Sequence, residues 1–246
     1  MDRPPRLFVD APLRRDDVAL TLPASAARHV QVLRLRPGAG VTLFDGRGGE
    51  WTAQVVAIAR QTVQVRVLDH DAREAELPIA VTLALAMPAN DRMDSLIEKA
   101  TQLGAAAIAP LITERSVLRL AGDRAERRQA HWQAIAVAAC EQCGRNRVPT
   151  IHAVRRFAAW LDGLAQAAPG ESRLLMGWRD AAPWPQVAAQ LGSAVTLLSG
   201  PEGGFTDAEE DLAARRGFQF VSLGPRVLRA DTAPVAALAA LALRAP

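Results

Sequence analysis

The segment from Val195 to Leu243 constrains the fold more than any other part of the chain. It reads as strand, glycine-rich loop, helix, strand, glycine and proline loop, helix. The apolar run Val195 to Leu198 ends in Gly200-Pro201-Glu202-Gly203-Gly204. Thr206 and Glu209 then have the T-x-x-E spacing of a capping box, which starts a helix. A second run, Phe218 to Leu223, ends in Gly224-Pro225-Arg226-Val227-Leu228-Arg229-Ala230-Asp231-Thr232, ahead of an alanine-rich helix from Ala233 to Leu243. Strands alternating with helices call for a parallel sheet, and open α/β sheets bind ligands beyond the carboxyl ends of their strands.

The loops narrow the chemistry. Glycines let the backbone take positive φ and let a ligand approach it closely, and exposed N–H groups before a helix suit acceptor-rich ligands. The first loop is not G-x-G-x-x-G and no Gly-Lys-Ser/Thr follows it, which excludes the dinucleotide fingerprint and the P-loop. An ordinary strand-to-helix turn is the competing reading. In the second loop Asp231 or Thr232 would cap the next helix, with Pro234 tolerated in its first turn. Arg226 and Arg229 would then simply be solvated.

Upstream the pattern changes. Strand-like runs at Arg6–Val9, Val18–Leu20, Val41–Phe44, Trp51–Ile58 and Thr62–Leu68 surround a short helix from Ser25 to Leu33 capped by Ser25. Asp45-Gly46-Arg47-Gly48-Gly49 marks a hairpin, and the spacing predicts a small β-barrel. A polar stretch, Asp69 to Glu76, closed by Pro78, separates it from strand Ile79–Met87 and helix Asp91–Leu103. That helix carries Met93, Leu96, Ile97, Ala100 and Leu103 on one face and is stopped by Gly104. Strand Ala106–Ile112, a long helix from about Asp123 to Cys143, and strand Arg173–Met176 follow. The division expected is residues 1–72 and residues 73–246.

With one lysine, Lys99, against a net charge of +3, nearly all positive charge is arginine. Arginine forks onto phosphate and stacks on bases, so an RNA-binding face is one reading and coding bias another. Cys140 and Cys143 stand alone as C-x-x-C without paired histidines, which favours two small packed residues over a metal site. No apolar run approaches the length of a membrane span. The opening has no apolar signal region, so a cytoplasmic location is expected.

GPEGG followed by LGPRVLR-x-[DE]-T resembles the RsmE family of bacterial 16S rRNA (uracil-N3)-methyltransferases, of the SPOUT class. The resemblance recurs in Asn90–Val117, in Ala139–Pro149 and in Arg28–Trp51, in order along nearly the whole chain. It implies an α/β fold: a SPOUT trefoil-knot methyltransferase domain preceded by a small PUA-like β-barrel that binds RNA. It also implies a homodimer through the knot, S-adenosylmethionine as cofactor and 16S rRNA of the small ribosomal subunit as partner, with no metal and no membrane. The cofactor residues expected are Leu198, Gly200, Pro201, Glu202, Gly203, Gly204, Leu223, Gly224, Val227, Leu228 and Arg229. Arg229 would stabilise charge on the uracil and Asp231 would accept its proton. Arg28, Arg34, Arg92, Arg115, Arg145 and Arg147 would contact RNA. For Arg92 a solvated helix face with i,i+4 partners competes with that role.

The chain departs from the family at Ala89-Asn90, where Lys-Gly is common, and at Ala230-Asp231, where Thr-Glu is common. These departures leave room for a catalytically silent rRNA-binding or assembly factor of the same fold. An α/β enzyme that grips a nucleotide phosphate is the other alternative, opposed by the missing P-loop lysine.

Overall fold

The structure, a computed structural model, describes residues 4–15, 19–88, 92–177 and 181–243. Val18, Ala89, Asn90 and Asp91, named above, lie outside these. The chain divides into two compact units, Met1–Glu76 with Val137–Val148, and Leu77–Ala136 with Pro149–Pro246. The segment 137–148, which the sequence assigns to the second domain, thus packs with the first unit.

The first unit is a curled sheet of five strands: β1 (Arg6–Phe8), β2 (Leu20–Thr21), β3 (Gly40–Phe44), β4 (Glu50–Ile58) and β5 (Val63–Asp71), in the order β1-β3-β4-β5-β2. Alternation in β5 buries Val63, Val65 and Val67 and exposes the residues between them, the period-two signature of a half-buried strand. Two register shifts between β4 and β5 bend the pair, as bulges do. Helix α1 (Ala24–Val32) closes the core with Ala26, Ala27 and Val30. Its N-cap is Pro23, with no side-chain cap bond. Ser25 therefore lies inside the helix, a correction to the expected cap.

In the first unit the chain around Arg145 folds back onto the 73–76 segment. Arg145 is 2% exposed and its guanidinium is paired with Glu76. Asn146 donates to Arg73 O at 2.7 Å and accepts from Arg6 at 2.6 Å. Burial pushes the Cys140 thiol up to about 12, and its Sγ lies 3.6 Å from Arg147 O.

The second unit is an eight-stranded sheet: β6 (Ala80–Ala86), β7 (Ala107–Ile112), β8 (Thr150–Ile151), β9 (Arg155–Arg156), β10 (Glu171–Met176), β11 (Ala182–Pro183), β12 (Ala194–Ser199) and β13 (Gln219–Ser222). Its main path runs β11-β13-β10-β12-β6-β7-β8. Every described pairing in it is parallel. Parallel sheets are covered on both faces, and adjacent leucines show it: Leu174 and Leu175, Leu197 and Leu198 are all at most 1% exposed. Each such leucine contributes about 2 kcal/mol by leaving water.

Helices α2 (Arg92–Gln102) and α7 (Thr232–Ala242) pack together, as do α4 (Phe157–Asp162) and α6 (Asp207–Arg215). The remaining helices are α3 (Gly122–Cys143) and α5 (Trp184–Ala188). Gly104, at φ +93°, ends α2 as its position suggests. The chain leaving β13 turns back to seat α7 on β12 and α2.

Candidate functional site

Because β13, β10 and β12 are consecutive parallel strands, their carboxyl ends bring three connections to one edge. They are Met176-Gly177, Ser199–Gly204 and Leu223–Arg229. The outer two connections are two strand spacings apart, about 10 Å, with Met176-Gly177 between them. Met176, Gly177, Leu223, Gly224, Val227, Leu228, Arg226 and Ala233 line a narrow cavity of about 70 Å³. Sequence reasoning missed Met176 and Gly177. The signal was topological, since β10 is separated from both glycine loops in sequence and sits between them only in the sheet.

The first loop is braced. Thr206 accepts from Glu209 N and the Glu209 carboxylate accepts from Thr206 N at 3.0 Å, forming the capping box expected. The other Glu209 oxygen accepts from Glu114 N at 2.9 Å. Arg115 Nη1 donates to Gly203 O at 2.9 Å and Phe205 O at 3.1 Å. Arg92 pairs with Glu202 at 3.0 Å, both about one-third exposed. Gly204 takes φ +68°, and its N–H donates to Pro201 O at 2.9 Å. Pro201 is buried. A Cβ at Gly200 would stand 3.2 Å from the Phe205 ring, and one at Gly203 would stand 3.2 Å from Arg115 Cβ.

The second loop is open. Gly224, Pro225, Arg226 and Val227 are exposed, Val227 at 74%. Gly224 has φ +112°, and a Cβ there would meet nothing within 4 Å. Among the described residues no hydrogen bond or ion pair reaches residues 225–228. The loop is anchored at its end, where Arg229 O accepts from Thr232 N at 2.9 Å and Ala233 N at 3.0 Å. The Arg229 side chain is exposed and has no ion-pair partner among the described residues. Asp231 occupies the N-cap position of α7 without making a side-chain cap bond. Its Oδ1 is buried with no hydrogen-bond partner among the described residues.

Several expectations change. Leu198 is fully buried in a cluster with Phe157, Phe205 and Leu175, so it supports the first loop from the core and lines no cleft. Arg145 has no face turned to solvent, so its expected phosphate contact is corrected to a structural clamp on Glu76. Arg115 and Arg92 are engaged by the first loop rather than held free for RNA. Arg147 is exposed and pairs with Glu74 at 3.2 Å. Arg28 and Arg34 are exposed in the first unit. Arg34 takes φ +52° just beyond α1, a left-handed position that costs a non-glycine residue about 1 kcal/mol.

A roomier groove of about 600 Å³ lies on the other side of Leu223-Gly224, walled by Pro183, Trp184, Pro185, Pro225, Ala236 and Ala240. Size favours it and chemistry does not. Its walls carry few polar groups, whereas small-ligand sites need a few well-placed ones. The smaller cavity opens toward Met176-Gly177 at the carboxyl ends of β10 and β13, where parallel sheets bind ligands. It has loop backbone along its wall and an open Gly224 position.

Comparison with known proteins agrees with the geometry. Residues 75–242 match the family model of an RNA methyltransferase domain, and residues 22–68 that of an RNA methyltransferase PUA domain. The chain is 39% identical to ribosomal RNA small subunit methyltransferase E of Synechocystis, over 94% of this chain and 75% of that protein. It is 30% identical to the Bacillus subtilis protein of the same name, over 86% and 84%. The crystal structure of ribosomal RNA small subunit methyltransferase E from Neisseria gonorrhoeae bound to S-adenosyl methionine is similar with a TM-score of 0.88. It is 36% identical and covers 97% of this chain and 96% of its own. The α/β unit with its parallel sheet is accordingly an RNA methyltransferase domain preceded by a PUA domain, and the chain belongs to the ribosomal RNA small subunit methyltransferase E family.

Proposed function

We propose that this chain methylates N3 of one uridine in 16S rRNA of the small ribosomal subunit, with S-adenosylmethionine as donor. The observation that carries the reading is that the first glycine loop, Met176-Gly177 and Leu223–Arg229 leave adjacent strands at one sheet edge, in a chain of this family. Bound S-adenosylmethionine supplies a methyl group on a sulfonium, open to in-line displacement.

The protein's part is then mainly to position two reactants. Backbone groups of Gly200–Gly204 and Leu223–Leu228 hold the adenosine end, with Met176, Val227 and Leu228 as apolar walls. Uracil N3 is a poor nucleophile until its proton leaves, and the charge then spreads onto O2 and O4. The free guanidinium of Arg229 stabilises that charge. Asp231, two residues further on at the start of α7, accepts the proton. Exposed Arg28, Arg34 and Arg147 supply phosphate contacts, the sequence-independent share of RNA affinity. Leu243 is 88% exposed at the end of apolar α7, which is where a second copy packs in this reading. Light scattering at the mass of one chain would remove that part.

The test is labelled methyl transfer from S-adenosylmethionine to undermethylated small subunits and to naked rRNA, followed by mapping of the modified base. Label at N3 of one uridine is the expected result. Cofactor binding without incorporation into either RNA would favour the catalytically silent factor.

A further inference from the structure

The sequence offers Arg115 as an RNA ligand, yet its contacts point inward. Residues 113–116 form a closed turn: Thr113 N donates to Ser116 Oγ at 3.0 Å, the two hydroxyls lie 2.8 Å apart, and Ser116 N donates to Thr113 O at 3.3 Å. Thr113 and Ser116 are 3% and 5% exposed, so the turn is fixed from beneath. It presents Glu114 and Arg115 to the first glycine loop, 88 residues away or more in sequence. Glu114 N reaches Glu209, whose carboxylate also holds Thr206 N. Arg115 grips Gly203 O and Phe205 O with one nitrogen.

The grip is sterically matched as well. A Cβ at Gly203 would lie 3.2 Å from Arg115 Cβ and 3.4 Å from its Cδ. A side chain at Gly203 would therefore press on the arginine stem, independent of any ligand on the other side. Two carbonyls turned toward one guanidinium fix the peptide planes of the loop, and a charged donor makes the stronger class of hydrogen bond.

We propose that Arg115 is a positioning residue for the methyl-transfer site: it holds the Gly203–Phe205 backbone in the shape that receives the cofactor, and does not bind RNA. The proposal rests on the reading of the cleft as the S-adenosylmethionine site. Arg115 is exposed, so its replacement leaves the core intact.

The experiment compares wild type, Arg115→Ala and Arg115→Lys in three measurements. In the free protein, backbone hydrogen exchange of residues 203–206 should quicken about ten-fold in Arg115→Ala, and less in Arg115→Lys. S-adenosylmethionine affinity should fall about ten-fold in Arg115→Ala, with partial recovery on adding guanidinium ion at low millimolar concentration. RNA affinity and its salt dependence should stay as in wild type. Unchanged loop exchange overturns the clamp. Unchanged cofactor affinity with a salt slope smaller by about one phosphate contact overturns the positioning role and restores the RNA contact. Wild type without cofactor affinity would instead refute the functional reading, while the exchange measurement still decides whether Arg115 braces the loop.

Discussion

The two glycine loops leave the same sheet edge and are built in opposite ways. The first is held by Arg115, by the Glu209 carboxylate and by the Arg92–Glu202 pair, above a core of Leu198 and Phe205. The second is exposed from Gly224 to Val227 and, among the described residues, is hydrogen-bonded only at its two ends, Gly224 to Ser222 and Arg229 O to the start of α7. Internal hydrogen bonds thus brace one wall of the proposed cleft, while few hold the other. A site built this way spends little ordering entropy on the first loop and concentrates it in the second. That places the side chains proposed for catalysis, Arg229 and Asp231, on the open wall.

Substitutions of decreasing severity probe that contrast. Arg229→Ala should lower the methyl-transfer rate about 100-fold or more, the scale of losing one charge-stabilising donor, with cofactor affinity within a few-fold of wild type. A rate within a few-fold would remove Arg229 from the chemistry. Gly203→Val should cost cofactor affinity about ten-fold, as Arg115→Ala does, by driving Arg115 off the loop. Gly224→Ala has open space around it and strains only a backbone at φ +112°, so its loss should be smaller. Equal losses measured by calorimetry would erase the distinction between the walls.

Thr206→Ala removes half of the capping box and should lower stability by about 1 kcal/mol, visible in thermal unfolding. The smallest effect belongs to Arg92→Ala. A pair about one-third exposed contributes at most about 1 kcal/mol, so cofactor affinity should change less than about five-fold. A larger loss would make Glu202 part of the brace rather than its rim.

The local grammar of the chain was legible in advance. Thr206 with Glu209, Gly104 at the end of α2, and the alternation in β5 each follow from spacing within one element, and each is found. What escaped depends on residues distant in sequence. Arg115 meets Gly203 across 88 positions, and Arg145 meets Glu76 across 69. Arginine reads as an exposed cation until its partners are known, which is why both were assigned to RNA. Met176-Gly177 was missed for the same reason, since only the strand order puts it between the loops. Short elements such as β8, β9, α4 and α5 hold too few residues to show a period. Pro23 took the cap expected of Ser25 because nothing local decides between neighbouring starts.

The most direct measurement is backbone hydrogen exchange of the intact protein with and without saturating S-adenosylmethionine. The account predicts that the amides of Gly204 and Thr206, hydrogen-bonded to Pro201 O and Glu209, are protected in both states and that those of residues 226–229 gain protection only when the cofactor is bound. Cofactor binding that leaves 226–229 unchanged, or that is needed to protect Gly204 and Thr206, would contradict it.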